Sequence, residues 1–248
     1  MKRNAAPNGS RCYAFRMAGI ENPWAKFEEV VESGAPYVLA QDRGVIEIFN
    51  KRQSDPLRQM FLRSIPEPFI GNPETARLVL LNLNPGHSDD DEQNHRDSEF
   101  RAALLGNLAH VSQDFPFYPL NPAFVKYTGA GRWWHQITSK LQEATSLDAS
   151  QFAKRIMVIE WFPYHSPRSG LPLKQVCPSQ TYSFELARRM ARKPGAIVLG
   201  MRSRAHWLNV IPAFKDIPFL FNKQRPFITR GNMVGTLFDD IVALLKAP

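Results

Sequence analysis

The stretch Leu78-Val79-Leu80-Leu81-Asn82-Leu83-Asn84-Pro85-Gly86-His87 decides how this chain is read. Its first six residues are almost continuously apolar, as a parallel strand buried on both faces requires. Pro85 and Gly86 then end the strand in a tight turn where the backbone can approach a ligand closely. Working outward, residues 155–159 and 196–200 repeat the apolar run. Residues 217–221 form a fourth strand pattern, and Pro218 assigns it to an edge. Helical patterns fall between and after these runs, at 98–111, 132–144, 179–192 with Ser179 as N-cap, 202–210 and 233–245. Alternating strands and helices predict an α/β fold. The expectation is a three-layer α/β/α sandwich around a central, mainly parallel four-stranded sheet, with a functional crevice at the strand C-terminal ends.

The N-terminal quarter reads differently. Residues 1–22 suggest an irregular arm and 24–33 a helix. Two short strands, 36–40 and 45–49, are expected around an Asp42-Arg43-Gly44 turn, followed by a helix over 55–63. Residues 1–65 are therefore an accessory region packed on a 66–248 domain, the two forming one structural unit.

Composition narrows the function classes. The chain has 248 residues, 44% hydrophobic and 22% charged, which are globular proportions. No apolar run reaches 18 residues and no apolar core follows the basic N-terminus, so neither a membrane span nor a secretory signal is expected. Two cysteines, Cys12 and Cys177, exclude a disulfide framework and cysteine-based zinc or iron–sulfur sites. A reduced, cytoplasmic setting fits. The formal net charge is +8, and it is local: residues 187–230 hold ten Lys/Arg and one acid, Asp216. A basic segment on a neutral body suits a polyanion-binding face. The run from His87 to Glu92, with His95, lacks the alternating carboxylate spacing of a calcium loop and reads as a solvated loop, so no metal is expected.

Four segments fall at strand C-terminal ends. The first is Asn84-Pro85-Gly86. The second is Phe115-Pro116-Phe117-Tyr118-Pro119, followed by Gly131-Arg132-Trp133-Trp134. The third is Glu160-Trp161-Phe162-Pro163-Tyr164-His165-Ser166, and the fourth runs from Phe221 to Asn232. No Gly-x-Ser-x-Gly elbow supports a serine-hydrolase reading of His165 and Ser166.

The segment from Pro66 to Pro73, the strand, and then Leu83-Asn84-Pro85-Gly86 resemble the opening of the uracil-DNA glycosylase superfamily. Its mismatch-specific and single-strand-selective members carry an Asn-Pro-Gly turn here. The resemblance spans about residue 66 to 245. It implies hydrolysis of an N-glycosidic bond after a damaged or mismatched base is flipped out of DNA, single-stranded or mismatched, without a cofactor. Asn84 would orient the attacking water, Gly86 would lie against the base, and Phe117 or Tyr118 would stack on it. Trp133 and Trp134 read as core. Glu160 stands where the family has a base-reading Asn, with His165 beside it among the base-binding residues. An ionised carboxylate there favours N–H-rich base edges, whereas a protonated one could donate to a carbonyl. The family's His-Pro-Ser or Asn-Pro-Ser loop has no counterpart triplet, and Asn222 is the nearest match to its leaving-group residue. Arg202, Arg204, Lys223, Arg225 and Arg230 would hold phosphates. Two other readings stay open: a non-catalytic nucleic-acid-binding module on the same fold, and an enzyme acting on a free nucleoside or nucleotide. The oligomeric state is not legible, and a monomer is the default expectation.

Overall fold

A computed structural model describes residues 19–88 and 90–248. Most of the expected N-terminal arm, Cys12 and Asp89 of the acidic run lie outside those residues. In chain order the described elements are α1 (Phe27–Glu32), α2 (Ala40–Arg52), β1 (Phe69–Ile70), β2 (Leu78–Asn82), α3 (Asp91–Asn94), α4 (Ser98–Leu108), α5 (Pro122–Val125), α6 (Gly129–Thr145), α7 (Ala149–Arg155), β3 (Ile156–Glu160), α8 (Gln180–Arg192), β4 (Ile197–Gly200), α9 (Arg204–Val210) and α10 (Leu237–Lys246). The fold is α/β, with one four-stranded sheet in the order β1-β3-β2-β4. β2 pairs in parallel with both β3 and β4, and β1 pairs antiparallel with β3. The sheet is thus mixed.

β2 and β3 are buried at every position, as two-sided cover of a parallel strand demands. Their register sets Leu78 opposite Ile156 and ends with Asn82 opposite Glu160. Two polar residues therefore close two apolar strands at the same level of the sheet. The long α6 starts at Thr128, whose hydroxyl accepts from the Gly131 amide at 2.9 Å. It buries Trp134, Ile137, Thr138, Leu141 and Thr145, the i, i+3, i+4, i+7 stripe of a core-facing helix.

Several sequence expectations are corrected. Residues 217–221 do not form a full strand: among the described residues, Phe219 makes only an isolated parallel bridge to Gly200. The ring of Phe219 occupies the space a side chain at residue 200 would need, since a Cβ there would stand 2.1 Å from it. The fourth strand is instead β1. It stops at Gly71, whose φ of +116° and close approach to the Ile156 carbonyl admit only glycine.

The strands expected at 36–40 and 45–49 are absent, because α2 runs straight through Gly44. Asp42 and Ile46, one helical turn apart, are buried. Asp42 accepts hydrogen bonds from Tyr164 Oη at 2.8 Å and Ser179 N at 3.1 Å, contacts that an exposed hairpin turn could not make. Ser179 occupies the N-cap position of α8 but makes no side-chain cap bond. The helix expected over 55–63 contracts to a 3₁₀ turn over Pro56–Arg58.

Residues 19–65 are not peripheral. Trp24, Phe27, Val38, Ile46, Met60 and Ile65 belong to the same buried cluster as β2 and β3. Among the described residues, no helix is long and apolar enough to cross a membrane.

Candidate functional site

Because β2 leads to β3 on one side and β3 returns across β2 to β4, the loops leaving the two central strands diverge. Such a divergence opens a crevice at the strand C-terminal ends. A cavity of about 340 Å³ lies there. Its floor is Asn82 and Glu160. One wall is residues 83–88, a second is 165–167 with Ser169, and a third is the N-terminal turn of α6 with Trp133 and Trp134. Glu67, Asp91, Asn94, His95 and Arg202 complete it.

The floor is held rigidly. The Asn82 carbonyl accepts from Trp207 Nε1 at 2.7 Å and from Trp161 N at 3.3 Å. The Asn82 amide Nδ2 donates to Glu160 Oε1 at 3.0 Å. That leaves Asn82 Oδ1 and Glu160 Oε2 buried and without a partner. Burial pushes the Glu160 carboxyl up to about 8, with the charge of Glu67 adding to it, against the pull of the Asn82 bond and of Arg202. At neutral pH Glu160 is therefore mainly the neutral acid, and Oε2 is a hydrogen-bond donor. Of the two forms the sequence leaves open, burial favours the protonated one.

Asn84 stands on the first wall. Its Nδ2 donates to Ser166 Oγ at 2.9 Å and Pro85 O at 3.0 Å, with Tyr164 O at 3.4 Å. With Nδ2 committed, Oδ1 is the atom left to accept from a water. The loop that supplies Ser166 is strapped in place by the N-terminal region: Phe61 N donates to His165 O, Glu67 N to Pro163 O and Arg168 N to Leu57 O.

His165 is buried, with Nδ1 2.6 Å from Gly86 O and Nε2 2.9 Å from Ile65 O. A carbonyl oxygen thus stands within hydrogen-bonding distance of each ring nitrogen. The Glu67 carboxyl stands 3.9 Å from Nε2. Glu67 also accepts from Tyr118 Oη. Burial raises the Glu67 carboxyl despite the His165 charge.

Glu67, His95 and His165, and also His87, Asp91 and His165, approach one another as metal ligands would. Their hydrogen bonds point elsewhere. Ile65 N donates to His95 Nδ1 at 2.8 Å, which leaves the ring proton on Nε2. Burial and the neighbouring His165 and His87 hold His95 well below the usual imidazole range. Both Asp91 oxygens accept from Ser88 at 2.7 Å. Each of these side chains is hydrogen-bonded to a group outside the two sets.

Comparison with known proteins returned no match: no family model, no curated protein and no solved structure.

The crevice brings together Asn84, Gly86, Glu160, His165 and Arg202 of the sequence-selected residues. Phe117 is not among them. It is 0% exposed and packs edge-on against Trp134 at 5.0 Å, a core position, which removes it as a stacking platform. Tyr118 is likewise buried, its hydroxyl spent on Glu67. The aromatic surface of the cavity is Trp133, half-buried under the Arg202 guanidinium at 5.5 Å, with Trp134 and Phe100. Trp134 is core as expected, whereas Trp133 is half-buried against the core, and both also line the cavity.

Asn222 lies outside the cavity on an exposed turn, where Oδ1 accepts from Gln224 N and Arg225 N. A side chain committed to its own turn, away from the crevice, does not reach a leaving group there. Arg230 pairs with Asp239 and covers Phe238, and Arg204 donates to Lys215 O. Lys223 and Arg225 are exposed.

The basic segment also divides. Lys193 Nζ donates to the carbonyls of Pro73, Glu74 and Ala76, just before β2, so the end of α8 sits at the opposite end of the sheet from the crevice. Arg188, Arg189 and Arg192, in the last turns of α8, belong to that end. One continuous basic face is not formed.

Sequence reasoning missed Asn82, Glu67, His95 and Trp133. Asn82 carried a signal, a polar residue closing an apolar strand. Glu67 carried a weaker one, a carboxylate between two prolines.

Proposed function

We propose that the crevice hydrolyses the N-glycosidic bond of an extruded base that presents a lactam edge, an N–H beside a C=O, as uracil, hypoxanthine and xanthine do. The observation that carries this is the unpartnered pair on the floor. Asn82 Oδ1 is an acceptor and the neutral Glu160 Oε2 a donor, on residues paired across β2 and β3. A base N–H would donate to the first and a base carbonyl accept from the second. Trp133 would cover the ring, and Arg202 would lie toward the sugar–phosphate.

Asn84 Oδ1 would orient a water. The water oxygen bonds to the sugar C1′ as the bond from C1′ to the base nitrogen breaks. The base leaves with that electron pair and takes a proton, and the water's surplus proton passes to solvent. An amide is a poor base, so orientation supplies most of the effect and turnover is slow. The fold suits this reading. The β2-to-β3 and β3-to-β4 connections run in opposite directions, so right-handed crossovers would put helices on both faces, a three-layer sandwich of the uracil-DNA glycosylase kind.

An enzyme acting on a free nucleoside is the second reading. It is favoured by the division of the basic segment between the two ends of the sheet. One assay separates them. Oligonucleotides carrying uracil, hypoxanthine or xanthine, single- and double-stranded, and the matching deoxynucleosides are incubated with the protein and with Asn84→Ala. Base release from oligonucleotides that is lost in Asn84→Ala supports the glycosylase. Release from deoxynucleosides alone supports the second reading, and no release from any substrate rejects both.

A further inference from the structure

A second cavity, of about 490 Å³, adjoins the first. Asn94, Phe100 and Thr128 line both, so the two are neighbours across a shared wall. The second is bounded by α3, the start of α4 and the segment from Ala123 to Thr128. Two observations make it more than a surface dent. Tyr127 lines it with its side chain 73% exposed, the most exposed large apolar residue among those described. Asn94 Nδ2, in the shared wall, is buried and has no hydrogen-bond partner.

The charged residues lining the cavity are Arg96, Asp97 and Glu99. Arg96 pairs with Glu92 at 3.5 Å. The Asp97 carboxylate accepts from Glu99 N and Phe100 N, capping α4. An exposed ring, an unsatisfied amide donor and a lining with two carboxylates to one arginine suit a flat, uncharged ring system with an acceptor on its edge. They do not suit a phosphate.

We propose that this cavity holds the base adjoining the one in the crevice, so that the protein takes two consecutive nucleotides of a single strand. This rests on the reading of the crevice as a base site. Tyr127 offers the face on which the second base stacks, a sequence-tolerant interaction because every base has one. Asn94 Nδ2 donates to that base or to its neighbour across the shared wall. Duplex pairing would deny both bases to the protein, so single-stranded substrate is preferred.

The test compares the binding of deoxyinosine with that of a single-stranded trinucleotide carrying hypoxanthine at its centre, using wild-type protein, Tyr127→Ala and Tyr127→Phe. The site predicts that Tyr127→Ala weakens trinucleotide binding about tenfold, leaves deoxyinosine binding unchanged, and that Tyr127→Phe behaves as wild type. Tyr127 is exposed, so the fold tolerates the change, and a melting curve checks this. Equal trinucleotide affinities for wild type and Tyr127→Ala overturn the second site. Equal weakening for both ligands also overturns it, because Tyr127 would then serve the crevice itself. If wild-type protein binds neither deoxyinosine nor the trinucleotide, the crevice reading fails first and carries this proposal with it.

Discussion

Asn82 and Glu160 are direct partners across the parallel pair β2 and β3, and their side chains are joined by an Asn82 Nδ2 to Glu160 Oε1 bond of 3.0 Å. The bond uses one polar atom of each and leaves one acceptor and one acid oxygen over, both buried. A buried polar atom without a partner costs about 1–3 kcal/mol, so two such atoms on the floor of a cavity are an outlay that a polar ligand recovers.

On the proposed reading, ligand binding depends on the protonation of Glu160. The carboxyl titrates at about 8, and only its neutral form donates. For wild-type protein, affinity for deoxyinosine or deoxyuridine is expected to be flat from pH 6 to 7 and to fall above pH 8. Glu160→Gln keeps a donor that does not titrate in this range, so its affinity should fall only as far as ionisation of the ligand's own lactam N–H requires, and less than that of wild type. Calorimetric titrations at pH 6.5 and 9 compare the two proteins. A parallel fall in both would remove Glu160 from recognition.

The same group gives the fold a pH dependence. Its folded-state value lies above that of an exposed glutamate, so the folded protein binds this proton more tightly than the unfolded chain. That contribution is fully present below about pH 4.5 and is lost as pH rises through 8. Thermal melts from pH 5 to 8.5 are expected to show wild type losing stability relative to Glu160→Gln, on the order of 3 kcal/mol across the window. Curves that stay parallel would count against a protonated buried Glu160.

Phe117 and Trp133 should separate cleanly. Phe117 is fully buried against Trp134, and Phe117→Ala is expected to cost about 3–5 kcal/mol of stability through the cavity it leaves. Trp133→Ala, at a half-buried wall, should melt closer to wild type while losing about 1–3 kcal/mol of base-binding energy. Denaturant titration and ligand titration of each variant read the two effects separately.

Asp42 ties three elements together by accepting from Tyr164 Oη and Ser179 N. Asp42→Ala strands both donors, at about 1–3 kcal/mol each, so its denaturation midpoint should fall clearly. Tyr164→Phe removes the bond to Asp42 and the longer one from Leu39 N at 3.3 Å but leaves Ser179 paired, so a smaller loss is expected. An Asp42→Ala protein as stable as Tyr164→Phe would show that Ser179 finds another partner.

The sequence by itself determined the elements whose periodicity is strong and whose burial is two-sided. The apolar runs at β2, β3 and β4 and the helices α4, α6, α8 and α10 were legible, since a parallel strand buried on both faces and an amphipathic helix each leave a local pattern. Asn84, Gly86, Glu160, His165 and Arg202 were legible as site residues because they follow the strand ends, where loops converge. Tertiary structure decided the rest. A turn-like Asp42-Arg43-Gly44 became helix because Asp42 finds buried donors on segments more than a hundred residues away. Residues 217–221 keep only a single bridge to β4, at the sheet edge opposite Phe69–Ile70. Phe117 went into the core and Trp133 onto the cavity wall, although both are aromatics in suggestive motifs. The basic segment divided because α8 carries its last turns to the far end of the sheet. Side-chain identity states what a residue can do, but which face it presents, and to which partner, is set by contacts distant in the chain.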